Sequence, residues 1–155
     1  MVNLRPLILA DIPILSSMLS GMDLWQGYGM SEGRLAKDLE RSLKRSDMVL
    51  IAEAKRGKEP VGIVWCQAGA AFGRSGFVKL IAVGDKHRRK GVASKLLAEA
   101  EGFIADISFD IFLHVSDFNK DARAFFKRHA YEQVGILKDY VIPDVDEHIY
   151  RKRLE

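Results

Sequence analysis

The sequence predicts a mixed α/β fold: one layer of mostly antiparallel sheet with helices on both faces, in the order β-α-α-β-β-β-α-β-α-β-β. Two observations carry this. Apolar residues recur every three or four positions in some stretches and as strand-length runs in others, and the two kinds of stretch alternate along the chain. No repeat, linker or low-complexity tract interrupts the 155 residues, a length close to that of one ordinary domain, so residues 1–155 are expected to form a single domain.

Val2 to Ile8 reads as the first strand. Asp11 is a candidate N-cap for a helix with Ile12, Leu15, Met18 and Leu19 on one face, Pro13 being tolerated in its first turn, and Gly21 marks its end. GMDLWQGYGM, with three glycines, reads as a loop. Ser31 is expected to cap a second helix striped by Leu35, Leu39 and Leu43. From Asp47 the pattern changes. MVLIAEA, the turn KRGKEP and VGIVWCQA read as a hairpin, and FVKLIAV follows the turn AFGRSG as a third strand. A helix is expected from about Gly91 to Ala105, burying Val92, Leu96, Leu97 and Phe103. The strand SFDIFLHV, a helix from about Asn119 to His129, and the strands YEQVGILKDYV and DEHIYRKRL complete the chain.

Composition excludes several classes. Hydrophobic residues are 48% and charged residues 29% of the chain, as in folded globular proteins rather than disordered ones. The net charge of +3 is too small to argue for nucleic acid, because 24 basic residues face 21 acidic ones. The single cysteine, Cys66, cannot form an intrachain disulfide, and its apolar setting VGIVWC suits a buried small hydrophobe better than a nucleophile. The apolar N-terminus is broken by Arg5, Pro6, Asp11 and Pro13, too early for a span of ~20 residues, and it lacks the parts of a signal peptide. A cytoplasmic protein without a membrane partner is the expectation.

The densest chemistry lies in HRRKGVASKLL, residues 87 to 97. A strand, a short turn and a helix opening at Gly91 make an anion site, because first-turn amides lack intrahelical acceptors and the helix dipole favours negative charge. Gly91 permits close backbone approach, Ala93 keeps the next position small, and Arg88, Arg89 and Lys90 surround the rim with charge. The alternative is a solvated surface. Cations at a helix start are unfavourable by ~0.3–1 kcal/mol each, which invites an anion, yet spacing alone leaves both readings open. A P-loop pattern is absent, and no interleaved aromatics suggest nucleic acid.

The stretch LIAVGDKHRRKGVASKLLAEAE resembles the central motif of the GNAT superfamily of acyl-CoA-dependent N-acetyltransferases. Arg88, Gly91 and Ala93 fill the fixed positions of its [QR]-x-x-G-x-[GA] signature. HVSDFNKDARAFFKRHAYEQVG is similar to the family's following strand-and-helix motif, with Asn119, Ala122, Phe126 and the pair Ala130-Tyr131 at its positions. The resemblance covers essentially the whole chain. It implies acetyl-CoA in a V-shaped opening between the fourth and fifth strands, with main-chain groups of Ile81, Ala82 and Val83 on the pantetheine arm. Arg88, Arg89, Lys90, Gly91, Val92, Ala93 and Ser94 would wrap the pyrophosphate, and Asn119 and Phe126 would complete the cofactor set. Ile81 and Val83 as core, and Asn119 as a simple N-cap, are structural readings compatible with that site.

Acetyl transfer needs a neutral amine, a polarised carbonyl and a proton for the departing thiolate. Many relatives place a proton-donating Tyr where this chain has Phe126, so the resemblance leaves that role vacant or moved, and Tyr140 is the candidate acid. Ribosomal-protein alanine acetyltransferases of the family carry a Glu five residues before the motif Asn, a position held here by His114. A neutral imidazole can accept a proton near pH 7, and the alternative is a strand histidine satisfied by one hydrogen bond. The fourth strand offers no carboxylate. His87 and His129 read as solvent-facing, His148 as lying near the sheet edge, and no His, Cys or carboxylate cluster indicates a metal.

The resemblance assigns the acceptor to the loop between the first helices and to the last hairpin. Asp23, Trp25 and Tyr28 in that loop could hold a cationic amine by charge and cation–π contact, or Trp25 could pack on the sheet. The function expected is transfer of an acetyl group from acetyl-CoA to a primary amine, a small molecule or a peptide N-terminus, by direct attack in a ternary complex. No nucleic-acid partner is expected, and a homodimer is left open. The alternative reading, motivated by Phe126, is a GNAT-fold module that holds an acyl-CoA without turnover.

Overall fold

The computed structural model describes residues 1–45 and 47–155. The elements are β1 (Val2–Pro6), α1 (Ile12–Ser20), α2 (Asp23–Gly27), α3 (Glu32–Ser42), β2 (Met48–Ala54), β3 (Pro60–Ala71), β4 (Ser75–Val83), α4 (Val92–Ala105), β5 (Asp110–Ser116), α5 (Lys120–Arg128), β6 (Glu132–Leu137) and β7 (Glu147–Arg153), with 3-10 turns at Leu9–Asp11 and Asp85–His87. Hydrogen bonding links the strands in the order β1-β2-β3-β4-β5-β7-β6. The pairs β1–β2, β2–β3, β5–β7 and β6–β7 are antiparallel, and β4–β5 is parallel. The predicted mixed, mostly antiparallel sheet is therefore present. The chain forms two compact units, one of Met1–Gln67 with Val78–Phe103 and one of Ala68–Phe77 with Ile104–Glu155.

In the first unit, Ile12, Leu15 and Leu19 of α1 and Leu35 and Leu39 of α3 form one buried cluster with Val49, Ile51, Ile63, Trp65 and Leu80. Neighbouring strand residues face opposite sides, and the other side belongs to α4: a Cβ on Gly62 would lie 3.3 Å from Leu96 Cδ1 and 3.4 Å from the Ala52 methyl. Helices thus cover both faces here. Ser31 caps α3 as expected, its Oγ accepting from the Arg34 amide at 3.1 Å. Leu43, the last of the predicted stripe, is exposed just past the helix end.

Asp11 stands at the expected N-cap position of α1 but does not cap it through its side chain. It ends the 3-10 turn and makes no cap bond to α1. Its carboxylate instead accepts from Arg5 Nη1 and Nη2, both at 2.7 Å, and from the Ile8 amide at 3.0 Å. Burial pushes its carboxyl up, but the Arg5 and Ile8 bonds outweigh that, leaving it below the ordinary aspartate value. GMDLWQGYGM is likewise not wholly loop, since Asp23–Gly27 closes one short helix.

In the second unit, Gly76 passes so close to α4 that a Cβ there would fall 2.3 Å from Ile104 Cγ2. Ile104, rather than the predicted Phe103, is the buried residue of that turn. The segment read as one strand from Tyr131 to Val141 ends at Leu137, so Tyr140 lies in the β6–β7 connection. β7 lies next to the edge strand β6, inserted between it and β5, and His148 is buried, with Nε2 2.7 Å from Asp117 Oδ1. In the first unit, Cys66 is fully buried, and burial pushes its thiol up to about 12, as for an inert hydrophobe.

Candidate active site

In the first unit, the loop after β4 is tied down by its own backbone. The Gly84 amide donates to the Val61 carbonyl and the His87 amide to the Gly84 carbonyl, both at 2.8 Å. Two of the three cations fold back along the loop. Arg88 Nε donates to the Val83 carbonyl at 3.2 Å and its Nη2 pairs with Asp85 at 3.2 Å, while Lys90 Nζ donates to the Lys86 carbonyl at 3.1 Å. Arg88 is thus a strut that fixes strand end to turn as well as a charge.

Arg89 and Gly91 both take left-handed backbone, φ +60° and +80°. An L side chain is strained there by about 1–2 kcal/mol, so the loop holds one strained residue beside one glycine. The Gly91 carbonyl accepts from the Lys95 amide at 3.1 Å, which makes Gly91 the N-cap of α4. A Cβ built on Gly91 meets no atom within 4 Å. The loop therefore opens outward, with Arg88, Arg89, Lys90 and Gly91 exposed and the Val92 side chain turned into the core. Ala93 and Ser94 are half-buried on the same first turn, and Ile81 and Ala82 are half-buried on β4 beside buried Val83. The backbone at Gly91 is thus unhindered, and three exposed cations precede it in the chain.

The second unit holds the chemistry of β5. Ile111, Leu113 and Val115 are buried, whereas Phe112 and His114 face the other side half-buried. β5 and β7 pair His114 with Ile149 and Ser116 with Glu147, which sets Glu147 diagonally across from His114 on one face. His114 Nδ1 lies 2.8 Å from Glu147 Oε1, and Ser116 Oγ donates to Oε2 at 2.6 Å. Glu147 is 0% exposed, whereas the His114 side chain is 28% exposed. A carboxylate accepts only, so the proton of a neutral His114 sits on Nδ1 and leaves the Nε2 lone pair available. Phe77 stacks on the imidazole at 5.8 Å between centroids, and Tyr140 meets it edge-on at 5.6 Å.

The structure therefore brings His114 and Tyr140 together and adds Glu147, Ser116 and Phe77, which the sequence did not single out. Glu147 carried no local signal, since it opens a strand, EHIYRKR, that is rich in charge. Its meaning depends on the β5–β7 register, which no local pattern encodes.

The remaining candidates are placed as follows. Asn119 caps α5, its Oδ1 accepting from the Ala122 amide at 3.3 Å. Phe126 is 3% exposed, edge-on to Phe125 at 5.2 Å and to Tyr131 at 5.4 Å, a core ring with little surface to offer a ligand. Trp25 is partly buried against the cluster of the first unit and edge-on to Tyr28 at 5.8 Å, while Asp23 is exposed at the start of α2. Among the described residues no group of three or more His, Cys, Asp or Glu could hold a metal, and no helix is long and apolar enough to cross a membrane.

The profile of the acetyltransferase (GNAT) family matches residues 19–131, nearly three quarters of the sequence and both motifs. The chain belongs to the GNAT acetyltransferase family. Solved GNAT structures share its fold end to end. Arabidopsis thaliana NAA60 in complex with a bisubstrate analogue is 15% identical over 99% of this chain and 98% of that one, with a TM-score of 0.81. A ribosomal-protein-alanine N-acetyltransferase from Brucella melitensis is 20% identical over 98% and 99%, with a TM-score of 0.79. A phosphinothricin acetyltransferase from Sinorhizobium meliloti, bound to acetyl-CoA, is 18% identical over 99% and 88%, also at 0.79. No curated protein matches the sequence. GNAT membership makes the chain an acyl-CoA-dependent acetyltransferase by family.

Proposed function

We propose that this GNAT chain, acting as one domain over residues 1–155, transfers an acetyl group from acetyl-CoA to a primary amine by direct attack in a ternary complex. The observation that carries the proposal is the His114–Glu147 pair, a half-exposed imidazole held from behind by a buried carboxylate.

Acetyl-CoA would supply an acetyl thioester whose carbonyl carbon accepts the amine nitrogen while the C–S bond breaks. The loop suits its anionic part, since Gly91 leaves open space before the first turn of α4 and exposed Arg88, Arg89 and Lys90 lead into it. Arg88 to Ser94 are assigned to the pyrophosphate, Ile81 to Val83 to the pantetheine arm through main-chain groups, and Asn119 to the same arm on the strength of its motif position.

His114 Nε2 takes the proton that an ammonium acceptor must lose before attacking. The imidazolium so formed is stabilised by Glu147, which already holds Nδ1 in place. Tyr140, edge-on to His114, is assigned the proton-donor role that Phe126 cannot fill, and the non-catalytic module remains the alternative reading. Asp23 and Trp25 on α2, and Tyr28 just past its end, are assigned to the acceptor side, as the resemblance implies. Cytoplasmic residence is part of the same proposal.

The test is amine-dependent release of free thiol from acetyl-CoA, screened over small amines and N-terminal peptides. Wild type is expected to turn over at least one amine and to show a thermal shift with acetyl-CoA. Binding without turnover of any amine would return the non-catalytic module to favour, and no binding would end both readings.

A further inference from the structure

We infer that the acceptor carries an aromatic or bulky aliphatic group close to its amino group, seated on a line of rings that leads away from His114. This rests on the reading of His114 as the base.

The line lies within the second unit. Phe77 and Phe112 are Cα partners in the parallel β4–β5 pairing and so point to the same face, the face of His114. Phe112 stands two residues from His114, about 7 Å along the strand. Phe72, in the turn between β3 and β4, meets the Phe112 ring edge-on at 5.2 Å. Tyr140 also touches the His114 ring, so the imidazole, Phe77, Phe112, Phe72 and Tyr140 are linked by ring contacts and by the β4–β5 pairing.

Two observations indicate that an organic group covers this surface. Phe72 is 78% exposed and yet sits at φ +57°, a conformation a bulky ring adopts only under strain. Folding gains little from a strained, exposed phenylalanine, whereas an apolar ligand gains a wall. The charge on this face of β5 and β7 is also already matched: Glu147 is bonded by His114 and Ser116, and Asp110 by Arg151 at 2.9 Å and Arg153 at 3.2 Å. A polycationic acceptor finds no spare carboxylate on those two strands, while an apolar group displaces water from exposed Phe72 and the half-buried rings beside it.

The same chemistry is available from a free aryl- or alkylamine and from a peptide N-terminus, so both are compared. kcat/KM is measured for phenethylamine against ethanolamine, and for a Phe-initiated against a Ser-initiated tripeptide, in wild type and in Phe72→Gly. Wild type is expected to favour the apolar member of at least one pair by about tenfold or more, and the favoured pair identifies the source. Phe72→Gly removes the ring and relaxes the left-handed turn, so its Tm should not fall, while the apolar-to-polar ratio should drop about tenfold. Phe72→Trp should keep the ratio. Equal rates for the two members of each pair, or a ratio untouched by Phe72→Gly, would overturn the inference and leave the acetyltransferase reading standing. Absence of both acetyl-CoA binding and amine turnover would overturn both.

Discussion

His114 has surface to receive a proton and, behind it, a fully buried Glu147 whose other oxygen is fixed by Ser116. That division of labour predicts a graded series. His114→Ala should lower kcat by about 10²–10⁴ while leaving acetyl-CoA affinity nearly unchanged. Glu147→Gln keeps the shape but can no longer stabilise imidazolium, so kcat should fall about 10²-fold with KM for the amine little moved. A change confined to KM in the second variant would reduce Glu147 to a structural part. His114 was legible in the sequence because it stands five residues before Asn119. Glu147 was not, because a contact between residues 114 and 147 depends on strand register.

At the scale of elements, the turn into α4 and the passage of β4 beside it are set by glycines of two kinds. Gly91 needs its left-handed φ but has space around it, so Gly91→Ala is expected to weaken acetyl-CoA binding, measured by calorimetry, more than it lowers Tm. Gly76 has no space at all. Gly76→Ala drives a methyl into buried Ile104 and should cost about 1–3 kcal/mol, lowering Tm by about 5 °C. Ile104→Ala in the same chain should recover part of that loss, and strict additivity would contradict the close approach. The periodic patterns located nearly every element, because a buried face must repeat every 3.6 or 2 residues. They missed α2, whose five residues are too few to show a period, and the end of β6, where exposed Tyr140 and Val141 resume an apolar pattern past Lys138 and Asp139.

At the scale of the whole molecule, acid should unfold the chain through a few paired aspartates. Asp11 is held below its ordinary value against burial by Arg5 and Ile8, and Asp110 by hydrogen bonds from Arg151 and Arg153. A depressed carboxyl stabilises the fold fully above its unfolded value, about 3.9, and that contribution is lost as pH falls through the folded value. Thermal melts should hold level near neutrality and drop below about pH 4. Asp11→Asn should lower stability at pH 7 by about 2 kcal/mol and flatten the acid limb; an acid limb as steep as wild type would remove Asp11 from the account. Strand count and the mixed α/β class could be read from the sequence because they follow from local patterns. The insertion of β7 between β5 and β6 could not, since DEHIYRKRL looks the same at an edge as inside, and it is this insertion that brings Glu147 to His114.

The central claim is direct acetyl transfer to an amine held together with acetyl-CoA. Initial velocities measured while both concentrations are varied test it most directly, with thiol release as the signal and the best amine of the screen as acceptor. Double-reciprocal lines that intersect are the predicted result, since both substrates must be bound before the amine attacks. Parallel lines, the mark of an acetylated enzyme formed before the amine arrives, would contradict it.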